Sequence, residues 1–144
     1  MTHVEGERRF AAPPERVFAL LTDPAVIAAA VPAVRGHRVL DVDHWEAKVK
    51  PPLPLAPSLT IRFEVTQRRP PEHAGLRAHG GGADVESTFD LSPDGEAGTV
   101  MRWQARVSLG GVLRRFGGHG LDAIARHQAE RTLDAVERAL SGAR

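Results

Sequence analysis

The last quarter of the chain constrains the fold most. Between Val112 and Leu140, apolar residues fall at Leu113, Phe116, Leu121, Ile124, Ala125, Ala129, Leu133, Val136 and Leu140. Steps of three and four dominate, which is the spacing of a helix with one apolar stripe. The other side carries Asp122, Arg126, Glu130, Arg131, Asp134 and Arg138. Asp122 with Arg126, and Asp134 with Arg138, stand four apart with the acid first, the favourable order on an exposed helix. A helix over residues 111–140 would be about 45 Å long at ~1.5 Å per residue. Such a rod cannot bury its stripe on itself and needs a broad apolar partner. Gly117, Gly118 and Gly120 interrupt its first half, each about 1 kcal/mol worse than alanine in a helix interior. Either they let the helix flex to admit a ligand, or they permit tight packing against a neighbour.

The preceding residues supply the partner. Residues 3–11 alternate as a strand with Val4, Gly6, Arg8 and Phe10 on one face, and Pro13-Pro14 stops it. Two short helices are predicted over 15–21 and 25–30, each with proline in its first turn and the second capped by Asp23. From residue 36 the period becomes two, giving strands at 36–42, 44–50, 58–68, 72–79, 83–92 and 98–109. Leu59, Ile61, Phe63 and Val65 share a face, as do Val85, Ser87, Phe89 and Leu91, and Met101, Trp103, Ala105, Val107 and Leu109. One face of such a sheet is buried and the other wet. In an up-and-down sheet alternate connections share an end, so the loops at 31–35, 50–57, 80–82 and 109–111 should gather opposite the turns at 69–72 and 92–95. The first group, rich in glycine, proline and apolar residues, is the expected mouth of any cavity. The order is that of an α+β domain in which a curved sheet wraps one long C-terminal helix.

At 144 residues the chain is read as one domain, 1–144, large enough for a core of its own. The absence of cysteine excludes disulfides, thiolate catalysis and thiolate metal sites. A net charge of +1 argues against a dedicated nucleic-acid binder. No apolar run reaches membrane-spanning length and the first residues do not form a signal peptide, so a cytoplasmic location is expected. The histidines at 3, 37, 44, 73, 79, 119 and 127 show no ligand spacing, and no metal site is expected. No nucleophile–base pair is legible, so no catalytic residue is assigned.

The segment Phe10-Ala11-Ala12-Pro13-Pro14-Glu15-Arg16-Val17-Phe18-Ala19-Leu20-Leu21-Thr22-Asp23-Pro24 resembles the opening of START-like (SRPBCC, Bet v 1-type) helix-grip proteins. Val31-Pro32, Gly80-Gly81-Gly82-Ala83-Asp84-Val85 and Ser108-Leu109-Gly110-Gly111-Val112-Leu113 are similar, more narrowly, to the G-type accessory family of carbon monoxide dehydrogenase. The resemblance implies a seven-stranded antiparallel sheet gripping the helix, with two short helices between strands 1 and 2. It implies a cavity for an apolar small molecule, lipid or quinone-like. It also implies a non-catalytic accessory role beside a molybdenum-containing carbon monoxide dehydrogenase-type hydroxylase, in maturation or membrane recruitment, with no cofactor of the chain's own. A polyketide cyclase or dehydratase and an interaction module with a filled groove are the competing readings.

On that fold Phe63, Phe89, Met101, Trp103, Phe116 and Ile124 are expected to line the concave side, as cavity wall or as packed core. Arg8 shares the parity of Val4 and Phe10. It either holds a ligand headgroup or buries its stem near the sheet edge. His119 stands among the glycines at the expected mouth, to bond a ligand oxygen or to sit in solvent. Pro51-Pro52-Leu53-Pro54-Leu55-Ala56-Pro57 cannot join a central ladder. Leu53 and Leu55 beside Lys48 and Lys50 either fold over the core or form a contact with a partner or with the inner face of a membrane.

Overall fold

A computed structural model describes residues 2–31, 34–50, 58–110 and 121–142. The expected segments at 51–57 and 111–120, and with them Leu53, Leu55, Phe116, His119 and the glycines at 117–120, lie outside the described residues. Strand β1 (Thr2–Phe10) leads into α1 (Pro14–Leu21) and α2 (Pro24–Ala29), and then come β2 (Val34–Asp41), β3 (His44–Val49), β4 (Leu59–Arg69), β5 (His73–Gly80), β6 (Ala83–Asp94), β7 (Gly98–Leu109) and α3 (Leu121–Gly142). The seven strands form one antiparallel sheet in the order β1-β7-β6-β5-β4-β3-β2. Six consecutive strands therefore meander, and β1 closes the far side against β7. The described part of the rod is shorter than the expected span, 22 residues, or about 33 Å at 1.5 Å per residue.

Local chemistry places the joints. Proline occupies the first turn of α1 and of α2, where no amide donor is missed. Asp23 caps α2 by accepting from the Ala25 amide at 2.9 Å, a contact of the kind worth ~1 kcal/mol. Thr99, wholly buried, donates its hydroxyl to the Ala12 carbonyl at 2.6 Å and so pins the β1–α1 link to the start of β7. At the β5–β6 hairpin Gly81 and Gly82 both have positive φ, 60° and 90°, as a tight primed turn requires. A Cβ on Gly80 would lie 2.4 Å from the Thr60 carbonyl oxygen, so only glycine lets β4 start this close. Strand β6 runs to Asp94, two residues past the expected end. Beyond Asp90 its side toward β5 has no ladder partner, so Pro93 occupies an edge and removes no bond.

The parity expectation holds among the described residues. Gly110 donates to the Gly82 carbonyl at 2.8 Å, joining two loops of one end. At the other end Leu91 donates to the Glu72 carbonyl at 2.7 Å.

Two apolar clusters fill the concave side. In the first, Val4, Phe10, Phe18, Phe89, Met101 and Trp103 meet Leu133 and Val136 of α3. In the second, Trp45 stacks on Phe63 at 5.5 Å between centroids, beside Ile27, Ala47 and Val65. Trp45 is 1% exposed, and its indole N–H finds no acceptor among the described residues.

Candidate functional site

Side-chain size along α3 decides where the concave side is solid and where it is hollow. Toward the C-terminus Leu133 and Val136, 3% and 0% exposed, meet Phe10 and Phe18 in close packing. Toward the N-terminus the inward residues shrink to Ala125 and Ala129. Facing them, β6 and β7 offer Ala83, Ser87 and Ala105. Small residues on both facing surfaces leave a cavity of about 390 Å³, within the range of small-molecule sites.

Strand β7 lines this cavity with Met101, Trp103, Ala105, Val107 and Leu109, and β6 with Ala83, Val85, Ser87, Thr88 and Phe89. Leu76 enters from β5, with Leu21 and Ile27 from the short helices. Helix α3 roofs it with Ile124, Ala125, Gln128, Ala129, Thr132 and Leu133. Ile124 is 64% exposed although it belongs to the lining, so it marks a rim. Ala83 and Leu109 lie at the end of the sheet where the 80–82 and 109–111 loops meet. Trp103 is held flat by its cross-strand partner Gly6: a Cβ there would stand 2.8 Å from Trp103 Cζ2.

Among the predicted wall residues, the structure brings together Phe89, Met101, Trp103 and Ile124. Phe63 is a correction. It is buried, but it belongs to the second cluster against Trp45 and does not line the cavity. The cause is distance along the sheet, since β4 and β7 are three strand positions apart. Arg8 is the second correction. It points inward as its parity requires, but over β1, opposite Met101 and away from the lining. Its guanidinium bonds Glu130 at 3.2 Å, Asp134 at 2.8 Å and Glu137 at 3.1 Å, all on α3. Partial burial opposes its charge, but the bonds from Asp134 and Glu137 outweigh that cost and raise its pKa. Arg8 thus ties the helix to the sheet rather than holding a headgroup. The same tie redirects Asp134 from its expected helical partner, and Arg126 donates to the Glu5 carbonyl at 2.9 Å.

Sequence reasoning missed Gln128 and Thr132. Both stand on the apolar stripe, three and seven residues after Ala125, and a polar residue inside such a stripe was the available signal. Gln128 Nε2 donates to the Ala30 carbonyl at 3.1 Å and joins α3 to α2. Among the described lining residues none is titratable, and the described residues hold no cluster of three His, Asp or Glu fit for a metal. No described helix is long and apolar enough to cross a membrane. Lys48 is exposed on β3, and Lys50 stands just past the end of that strand. A shallow hollow on the convex face lies between Arg77, His79, Asp84 and Ser108. There Arg77 and Asp84 satisfy each other through two bonds of 3.1 and 2.7 Å, an arrangement that holds the Asp84 carboxyl below its usual pKa.

Comparison with known proteins gives one family model, described as polyketide cyclase / dehydrase and lipid transport, matching residues 1–141. Among solved structures, a conserved protein from Geobacillus kaustophilus is 19% identical, with 97% of this chain and 95% of that one covered and a TM-score of 0.84. A START superfamily protein from Mycobacterium smegmatis is 17% identical, covers 96% and 97%, and has a TM-score of 0.73. Truncated norcoclaurine synthase from Thalictrum flavum is 11% identical, covers 99% and 94%, and has a TM-score of 0.70. Identities this low establish likeness of fold. Comparison with curated proteins gives no match.

Proposed function

The chain belongs to the polyketide cyclase / dehydrase and lipid transport family, and on that premise we propose that it binds one apolar small molecule beneath α3 without transforming it. The observation that carries this reading is the cavity of about 390 Å³. Its wall is overwhelmingly hydrocarbon and its described lining residues include no acid or base. General acid–base chemistry requires a titratable group within hydrogen-bond reach of the substrate. A wall of alanine, valine, leucine and aromatic carbon instead favours burial of apolar surface, worth about 25 cal/mol per Å².

In the finer form of the proposal the occupant is lipid-like or quinone-like and the protein serves a molybdenum-containing carbon monoxide dehydrogenase-type hydroxylase. What supports the client is the sequence likeness at Val31-Pro32, Gly80–Val85 and Ser108–Leu113. Docking at a membrane or on a partner falls to Lys48, Lys50, Leu53 and Leu55 on the same reasoning. Phe89, Met101, Trp103 and Ile124 are the proposed contacts with the occupant.

Native mass spectrometry of gently purified protein, followed by organic extraction, tests the binding reading. A co-purifying apolar molecule, or saturable uptake of an apolar dye that Ala129→Phe abolishes, supports it. Protein that is free of extractable molecules and takes up no dye refutes it. Co-purification of a molybdenum enzyme with a tagged chain tests the client separately.

A further inference from the structure

The hydrogen bonds on the cavity wall restrict the functional group an occupant carries. A backbone carbonyl can only accept, so the nitrogen of the Gln128 amide, and not its oxygen, faces the Ala30 carbonyl at 3.1 Å. The same nitrogen reaches Thr132 Oγ1 at 3.4 Å. Thr132 in turn donates its hydroxyl to the backbone carbonyl of Gln128 at 3.1 Å. Both side chains thus direct their donors into the protein. What they retain is acceptor capacity, above all Gln128 Oε1, for which the described residues supply no donor. Ser87 likewise directs its hydroxyl at the Leu76 carbonyl, at 3.4 Å. Thr88 Oγ1 accepts from Gln104 on the convex side at 3.2 Å. Trp103 contributes an indole N–H that the described residues leave without an acceptor.

From this we infer that the occupant is a neutral apolar alcohol or phenol whose hydroxyl donates to Gln128 Oε1. The inference rests on the binding reading above and adds the ligand class to it. A carboxylate is disfavoured because no described lining residue is cationic, and an unpaired buried anion is costly. The inward cation of β1, Arg8, is already held by three carboxylates. A molecule whose only polar atom is an ether or carbonyl oxygen meets the indole N–H at most. Facing Gln128 Oε1 it sets acceptor against acceptor and leaves both unpaired. A hydroxyl group both donates and accepts, so it alone of these groups suits the amide oxygen. At about 30 Å³ per water-sized group, the space fits a molecule of roughly a dozen heavy atoms.

Four aromatic probes of matched size test this: 2-naphthol, 2-methoxynaphthalene, naphthalene and 2-naphthoate, titrated by calorimetry at pH 7. The expected result is 2-naphthol about tenfold tighter than its methyl ether, the yield of one well-made hydrogen bond. The 2-naphthoate anion should be weakest. Without a partner for the hydroxyl the order reverses, because the ether carries an extra apolar carbon and no donor to desolvate. In Gln128→Met, naphthalene affinity should hold within about twofold while 2-naphthol falls to the level of the ether or below. Ether at least as tight as 2-naphthol in the unaltered protein overturns the inference and leaves the cavity reading standing. So does a preference for 2-naphthol that persists in Gln128→Met. Failure of all four probes to bind overturns both. Should Gln128→Met not fold, the order in the unaltered protein decides alone.

Discussion

Ala105→Leu separates a hollow interior from a solid one by the sign of a stability change. Ala105 stands on β7 between Trp103 and Val107, opposite Val4 on β1 and Ser87 on β6, and lines the cavity. Leucine adds three carbons, and at about 0.8 kcal/mol per buried carbon the gain approaches ~2.4 kcal/mol. Ordering the longer side chain costs about 0.5–1 kcal/mol, so the net is a stabilisation of roughly 1.5–2 kcal/mol. The space of about 390 Å³ takes the added atoms without displacing a neighbour. In a close-packed core the same change would cost about 1–3 kcal/mol through overpacking. For a chain of this length each kcal/mol moves Tm by about 2–4 °C, so Tm should rise by about 3–8 °C. Urea denaturation read by tryptophan fluorescence should show the same gain in midpoint at unchanged slope. Naphthalene affinity should fall at least about tenfold in the same protein, since the added carbons occupy its place. A lowered Tm together with unchanged naphthalene binding would refute the reasoning.

Other perturbations probe the parts around the cavity. Val136→Ala, in the solid end where exposure is 0%, should cost about 2–3 kcal/mol by urea denaturation with naphthalene affinity little changed. Gly6→Ala forces the Trp103 ring away from a Cβ that would lie at 2.8 Å; the ring has the cavity to move into, so the expected loss is about 1 kcal/mol or less in stability but several-fold in probe affinity. Arg8→Met leaves Glu130, Asp134 and Glu137 without their shared cation; these carboxylates are half exposed, so the cost should be about 1–2 kcal/mol and should shrink in high salt. His44 Nδ1 lies 2.8 Å from Asp41, whose carboxylate raises the imidazole pKa above 6.5. Its contribution is therefore present below pH 6.5 and lost as pH climbs through the raised value, and an NMR titration should show Asp41→Asn moving the midpoint back toward 6.5.

Much of this architecture is legible in the sequence because period and parity are rigid constraints. Alternation at Phe89, Met101 and Trp103 fixes the face those residues take, and counting connections fixes which loops share an end. What parity cannot tell is how far along a curved sheet the helix reaches. Phe63 therefore falls in the other cluster, and its stacking partner Trp45 sits in a β3 too short for its alternation to stand out. The inward direction of Arg8 follows from the same alternation. Its partners lie more than 120 residues away on α3, and no local pattern announces such a contact. The wall polarity of Gln128 and Thr132 is visible in the spacing, but only when the polar members of the apolar stripe are counted with the apolar ones. The hollow itself follows from a trend the sequence contains, Ala125 and Ala129 giving way to Leu133 and Val136. Only the placement of Ala105 and Ser87 opposite those alanines turns small residues into space.

Intermolecular NOEs from bound naphthalene locate an apolar guest directly. The account predicts cross-peaks to the Met101, Ala105 and Ala129 methyl groups, on two walls of one cavity that α3 roofs. Contacts confined to the exposed Val39, Leu40 and Val42, or no saturable complex at all, would contradict it.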